Sequence, residues 1–393
     1  MRPSLIYLFS FTFFISGLLN AQNNPITFYK TISDNGQSRG VTVEETTDGG
    51  FILTGVTSDG DYGGDDILLI KTDRTGRTLW TKTFGTSRND YGWAVRQTKD
   101  SSYVIAGYSD GIGNGGMDIY LMKTDNNGNL LWSNSYGGDK DDYGWDIRLT
   151  ADGGYVIAGQ TESQGNGEID ACLLKVDPSG NQQWFKTYGG EKVDRIFSVQ
   201  ETKDGGFITA GITYSYESVS ANDRDGYYLK TDALGNQEWF KVIGGDQYDV
   251  LHEVDRTDDQ GFFFTGYGES YAESGYRDVY LFKTDQNGEK QWLKAVGTIG
   301  EERGIKGIQT SDGGYAVVGI TSDNRNLYLV KSDKEGNVSW TKSIGNENEV
   351  EFGYTIRETQ DGGFILTGHT ENINDRKRSV ILIKTDSEGK IEH

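Results

Sequence analysis

The stretch Asp48-Gly49-Gly50-Phe51-Ile52-Leu53-Thr54-Gly55 returns, with small changes, along almost the whole chain. Its aromatic position is held by Phe51, Tyr103, Tyr155, Phe207, Phe262, Tyr315 and Phe364, at intervals of 49 to 55 residues. Its last glycine is kept in all seven copies, as Gly55, Gly107, Gly159, Gly211, Gly266, Gly319 and Gly368. A second signature, Lys-x-Asp-x-x-Gly, follows each copy, starting at Lys71, Lys123, Lys175, Lys230, Lys283, Lys331 and Lys384. In six copies a tryptophan comes next: Trp80, Trp132, Trp184, Trp239, Trp292 and Trp340. An internal period of this size bears on the architecture before any single motif does.

Each unit reads as four strands, A to D, expected in the second copy at 92–98, 103–107, 118–123 and 130–136. The Asp-Gly-Gly turn between A and B and the Asp-x-x-Gly turn between C and D are hairpin chemistry, since Gly and Asn take positive φ at small cost. B strands such as Tyr103-Val104-Ile105-Ala106 are apolar on both faces, so both sides of each sheet must be covered. Radial stacking of small sheets does this. The expected fold is all-β: a seven-bladed β-propeller of four-stranded antiparallel blades. The seventh copy reaches His393 where its D strand is due. A D-like strand without a unit of its own, Ile26-Thr27-Phe28-Tyr29-Lys30-Thr31, places Phe28 and Lys30 where other units have Trp80 and Lys82. It is expected to complete the last blade as its outer strand and close the ring, leaving no open edge.

The chain has 393 residues, with 38 Lys+Arg against 59 Asp+Glu, a net charge of −21. It holds 55 Gly but 3 Pro and 1 Cys. One cysteine excludes a disulfide scaffold. The acidic balance argues against a nucleic-acid partner, and 12% aromatics against a disordered acidic chain. Arg2, an apolar run over 5–19 and the small Ala21 form the layout of a secretory signal peptide over 1–21, leaving 22–393 as a single propeller domain. The run is short of the ~20 residues needed to span a bilayer. No cysteine follows it for acylation, and no second apolar run exists. The expectation is a secreted or periplasmic protein without membrane insertion, monomeric, with Cys172 as inert core.

The unit resembles the seven-bladed beta-propeller repeat of exported prokaryotic proteins. The resemblance rests on Gly-x-Thr after strand B (Gly55-Val56-Thr57, Gly159-Gln160-Thr161, Gly319-Ile320-Thr321), on the Asp opening strand C (Asp66, Asp118, Asp170, Asp278), and on Lys-Thr-Asp-x-x-Gly-Asn-x-x-Trp. It covers essentially all of 22–393 and implies architecture rather than chemistry. The Asp-x-x-Gly-x-x-x-Trp stretch is also similar to the tryptophan-docking motif of pyrroloquinoline-quinone-type propellers, with a turn one residue shorter. That likeness implies only that the six tryptophans above pack between neighbouring blades.

Alternating strand direction puts the B–C and D–A loops on one face and the short A–B and C–D turns on the other. The longer, variable loops on a rigid frame are where binding is expected. The B–C loops hold 18 acids and 6 bases and the D–A loops 14 acids and 6 bases, a net −20 on one face. Such a field favours cations or a basic partner. The D–A loops carry an acid at one equivalent position in six copies: Asp90, Asp142, Asp194, Asp249, Glu302 and Glu351, with Ser38 in the first. Three residues on stand Trp93, Trp145, Phe197, His252, Ile305, Tyr354 and Val41. Radial repetition sets both series around the channel mouth, either as turn caps and inter-blade packing or as an acid-and-aromatic cup. Trp93 and Trp145 lie outside the docking set and suit stacking on a sugar ring. The Gly-rich loop at 59–66 offers Asp59, Asp61 and Asp65 as oxygen ligands suited to Ca²⁺, without the EF-hand spacing.

Signals for catalysis are sparse. His252, His369 and His393 are scattered, no Cys/His metal spacing occurs, and no Gly-x-Ser-x-Gly elbow appears. The expected function is an exported, non-catalytic binding or interaction scaffold using its acidic loop face for a protein or a polysaccharide, with Ca²⁺ the one cofactor suggested. The alternative is a carbohydrate-active enzyme, a polysaccharide lyase or glycoside hydrolase, with its site at the same channel mouth.

Overall fold

The structure, a computed structural model, describes residues 25–32, 37–216, 224–273, 275–321 and 325–391. The signal-peptide reading of 1–21 and His393 lie outside them. Seven antiparallel sheets of four strands each follow one another along the chain. In the second blade the strands are Asp90–Gln97, Tyr103–Ser109, Asp118–Thr124 and Leu130–Tyr136, running from inner to outer. The last sheet takes its outer strand from the other end of the chain: Phe28–Ile32 pairs antiparallel with Arg378–Thr385. Phe28 lies opposite Lys384 as Trp80 lies opposite Lys71, so the ring closes in the register expected from sequence. No helix among the described residues is long and apolar enough to cross a membrane.

The two middle strands of each blade carry the core. Every residue of Phe51–Thr57 and Asp66–Thr72 is buried, whereas the outer strand Thr78–Phe84 is exposed or half-buried throughout. Cys172 lies fully buried in one such middle strand, and burial pushes its thiol well above the usual range. The core is therefore a set of apolar layers between consecutive sheets, which is why every B strand is apolar on both faces.

Two contacts recur in every blade and account for both repeated signatures. First, the lysine next to the end of strand C, buried in six of the seven blades, pairs with the aspartate of the A–B turn, as Lys71 Nζ with Asp48 at 3.0 Å and Lys175 Nζ with Asp152 at 2.8 Å. The same pair forms in the other five units. Asp48 Oδ1 also accepts from the Gly50 amide and the Thr46 hydroxyl, so one carboxylate ties the turn together. Gly50 makes the room: a Cβ there would stand 2.6 Å from Lys71 Nζ.

Second, the tryptophan of strand D docks on the next blade. The Trp80 ring covers Gly128 of the following C–D turn, where a Cβ would lie 2.9 Å from the ring, and Gly128 has φ +76°. Trp132 covers Gly180, Trp184 Gly235, Trp239 Gly288, Trp292 Gly336 and Trp340 Gly389, while Phe28 covers Gly76 across the seam. Trp80 also meets Tyr103, the aromatic opening the next strand B, at 6.2 Å between ring centroids.

Two glycines of similar φ separate backbone from packing. Gly49 has φ +77°, and a Cβ on it would meet nothing within 4 Å, whereas Gly128 has φ +76° beneath Trp80. Gly49→Ala is expected to cost about 1 kcal/mol, the left-handed backbone term alone. Gly128→Ala adds a steric clash with a rigid ring and is expected to cost about 2–4 kcal/mol. Urea unfolding of the two variants measures the difference; equal losses would show that Trp80 does not press on the turn.

Candidate functional site at the channel mouth

Five of the seven inner strands open at the loop face with the acid noted in the sequence, while the first opens on Ser38 and the last on Glu349; in the second blade the strand so begins two residues earlier than expected. The reason is a backbone hydrogen bond to the preceding blade: the Asp90 amide donates to Asp65 O at 2.6 Å and the Asp142 amide to Met117 O at 2.6 Å. The same bond forms at Asp194, Asp249, Glu302 and Glu351.

Three residues further, every inner strand contains a β-bulge. The pairing with strand B skips from Gly92 to Ala94, from Gly144 to Asp146 and likewise in the other five blades. The extra residue is Val41, Trp93, Trp145, Phe197, His252, Ile305 or Tyr354. A bulge re-aims a side chain out of the pleat, and here it turns all seven toward the axis. They line one cavity of about 300 Å³ together with Thr42, Glu253, Lys306 and Thr355. The sequence-selected Trp93, Trp145, His252 and Tyr354 thus stand together in one cup.

The wall is ordered by ring contacts. Trp93 meets Trp145 edge-on at 5.0 Å, and Trp145 stacks on Tyr143 at 5.5 Å and 2°. His252 stacks on Phe197 at 5.0 Å and on Tyr267 at 5.5 Å. Burial above all, then the Arg224 charge, brings the His252 imidazole down to about 4, so it is neutral at pH 7. Below the cup an ionic network bridges the inner strands. Arg96 and Arg148 both reach Asp146, at 2.9 and 2.8 Å, while Arg148 and Lys306 reach Glu253, at 2.9 and 3.1 Å. The cup therefore opens toward the loop face and has a charged floor.

The six acids at equivalent positions lie behind this wall. Asp90, Asp142, Asp194, Asp249, Glu302 and Glu351 are all at most 1% exposed. Their carboxylates accept from the loop just before them and from neighbouring hydroxyls: Asp142 Oδ2 from the Gly138 amide at 2.8 Å and the Ser163 hydroxyl at 2.7 Å, and Glu302 from Thr298. Each faces a second polar residue at the start of strand C of the preceding blade, buried in five of the six cases. Asp118 and Asp142 converge over Gly137, where a Cβ would stand 2.2 and 2.6 Å from their oxygens. Asp66 and Asp90 converge over Gly85, and Asp170 and Asp194 over Gly189; Asn326 takes the strand-C place opposite Glu351. Asp66, Asp90, Asp142 and Asp194 each keep one buried oxygen without a hydrogen-bond partner.

Paired burial of this kind raises carboxyl pKa values. Burial first, then Asp142 and Asp141, push Asp118 up to about 6 against the lowering pull of the Asn114 amide. Burial, with Glu349 adding, pushes Glu351 up to about 7. In the loop singled out for Ca²⁺, Asp59 and Asp61 are exposed and Asp65 is half-buried. Among the described residues no three His, Cys, Asp or Glu side chains gather into a metal-binding group.

Sequence reasoning missed the bulge, the strand-C partner of each acid, and the floor residues Asp146, Glu253 and Lys306. The signal for the last was present: Asp146, Glu253 and Lys306 each stand directly after the bulge position, where equivalent places in other units hold the small Ala94 and Ser198.

No protein-family model matches the chain. Over 171 residues it is 26% identical to the regulatory protein FlaEY of Caulobacter vibrioides, covering 37% of this chain and 18% of that protein. The chain thus spans under a fifth of that relative's length. Among solved structures it is similar to the WD40 domain of Pan2 from Neurospora crassa, with TM-score 0.56 and 11% identity, over 94% of this chain and 98% of that one. It is also similar to the polysaccharide lyase Uly1, with TM-score 0.53 and 12% identity, over 88% and 90% of the two chains. At such identities the likeness is one of fold: an all-β, seven-bladed propeller.

The acid pairs give a pH signature. Asp118 is held near 6 in the folded state against an ordinary 3.8, so between these values the folded state binds the extra proton. Its contribution to stability therefore improves as pH falls through that window and worsens as pH rises. His252 works in the opposite direction, so total stability mixes the two, and a single substitution isolates the acid. Asp118→Asn, which copies Asn326, is expected to gain about 1 kcal/mol relative to the parent between pH 5 and pH 8, after allowance for solvent screening. Urea unfolding at both pH values measures it, and a difference independent of pH would contradict the pairing.

Proposed function

We propose that this protein is an exported, non-catalytic binding propeller that holds its ligand in the channel-mouth cup. The observation that carries the reading is the bulge repeated in seven inner strands, which turns Trp93, Trp145, Phe197, His252 and Tyr354 into one cavity. Its volume, about 300 Å³, sits at the small end of ligand sites, the scale of one or two sugar units. Flat aromatic walls suit the apolar faces of sugar rings. The bridged floor leaves the loop face as the way in. The withdrawal of the six acids behind the wall leaves none of them exposed as the carboxylate pair that glycoside hydrolysis uses.

A second reading has one observation in its favour. A neutral His252 and the Tyr354 hydroxyl share the cup, and such groups serve as proton acceptor and donor in a polysaccharide lyase. Incubation with uronate polysaccharides tests it through the ultraviolet absorbance of the unsaturated product. The fold does not choose between the readings, since the similar structures include both a WD40 domain and a lyase.

Calorimetric titration of residues 22–393 with a panel of oligosaccharides, with and without Ca²⁺, tests the binding reading. Trp145→Ala is expected to weaken binding at least about tenfold. Trp80→Ala, at a blade edge, is expected to lower the melting temperature and leave affinity unchanged. The reverse pattern, or affinity indifferent to Trp145, would contradict the cup; silence across the panel would point to a protein at the acidic loop face.

A further inference from the structure

The charge of the cup's rim is opposite to that of the face around it. Two residues before the bulge, on the mouth side, the inner strands of the first, fourth and sixth blades carry Arg39, Arg195 and Arg303. Spaced by three, two and two blades, they surround the opening. All three are half-buried. In a chain of net charge −21, counter-ions for them are plentiful, yet among the described residues neither the Arg39 nor the Arg195 guanidinium forms an ion pair or hydrogen bond, and Glu162 and Tyr214 act on Arg195 only through their charge. Arg195 keeps a buried Nε with no partner. Arg303 pairs with Glu301 at 2.6 Å, but Arg277 draws on the same carboxylate at 2.9 Å. The charges of these arginines are felt at the cup, Arg39 acting on Tyr354 and His369 and Arg303 on His252, with Glu371 and Glu253 acting in the opposite sense.

A guanidinium held half-buried, with no partner among the described residues and beside flat rings, matches a ligand that brings its own anion. We propose that the cup takes a sparsely charged acidic oligosaccharide, with a uronate carboxylate held by Arg39 or Arg195 and sugar rings lying against Trp93 and Trp145. Guanidinium and carboxylate form two parallel hydrogen bonds in a fixed geometry, which fits a ligand that must be oriented. The acidic outer rim selects for low charge density. A densely charged polyanion meets repulsion from many loop acids, whereas one uronate on a neutral chain meets little beyond the ~8 Å screening length. Acidic peptides and nucleic acids fall on the disfavoured side. This inference rests on the cup being the binding site.

A matched pair of ligands tests it: a xylo-oligosaccharide and the same chain bearing one glucuronate. Titration of the whole protein is expected to show the acidic member binding at least about tenfold more tightly. Arg39→Gln and Arg195→Gln are expected to bring one or both affinities down to that of the neutral chain, with melting unchanged, and Arg→Lys to restore part of the loss. Equal binding of the two ligands, weakened alike by Trp145→Ala, would overturn the uronate inference and leave the cup standing. Poly-glutamate competing as well as the acidic oligosaccharide would overturn it in favour of an acidic peptide. Binding of neither saccharide would overturn it as well, and if poly-glutamate also failed to bind, the cup reading would fall with it.

Discussion

The structure depends on an aromatic ring lying over a glycine. In every blade the tryptophan of the outer strand, or Phe28 at the seam, covers the turn glycine of the next blade. That glycine has positive φ, so its backbone already excludes most residues, and the ring above it excludes a side chain altogether. One small position thus fixes both the shape of a turn and the distance between two sheets. Because sheets that are apolar on both faces are stable only when covered, repeating this contact around the ring commits the chain to closure, with Phe28–Ile32 supplying the last piece.

A frame held at its outer edge leaves the inner strands free to vary at the axis. Their common device is the bulge, which adds one side chain per blade to the channel without disturbing the layers behind it. The loop-face carboxylates nearest the axis are absorbed into those layers as inter-blade pairs over Gly85, Gly137 and Gly189, while others stay exposed on the outer rim. As a result the face that sums to −20 by sequence presents arginines, tyrosines and tryptophans at its centre. Position in the sequence reports which loop a charge belongs to; burial decides whether a ligand meets it.

The architecture was legible because its determinants are local and repeated. The apolar B strands, the Asp-Gly-Gly and Asp-x-x-Gly turns and the tryptophans each recur at one period, and the partnerless strand at Phe28 revealed the seam. The aromatic series Trp93, Trp145, Phe197, His252, Ile305, Tyr354 and Val41 was legible for the same reason, since radial repetition must bring equivalent positions together. The orientation of Asp90, Asp142 and Asp194 was not. Whether an acid opening a strand faces the axis or the preceding sheet depends on glycines and strand-C acids in another blade, some 24 residues upstream in the case of Asp66 and Asp90. Nor was the bulge, because an extra residue in one strand shows only against its partner. That the Arg39 and Arg195 guanidiniums have no partner among the described residues is likewise a property of the assembled mouth.

The two kinds of tryptophan make binding in the cup directly observable. Six of the eight lie at blade edges, and Trp93 and Trp145 line the cup. With fluorotryptophan incorporated, fluorine NMR of the protein titrated with the glucuronate-bearing oligosaccharide reads each ring separately. Binding in the cup moves the Trp93 and Trp145 resonances and leaves the six blade-edge resonances in place. Movement of blade-edge resonances with Trp93 and Trp145 unmoved would contradict it.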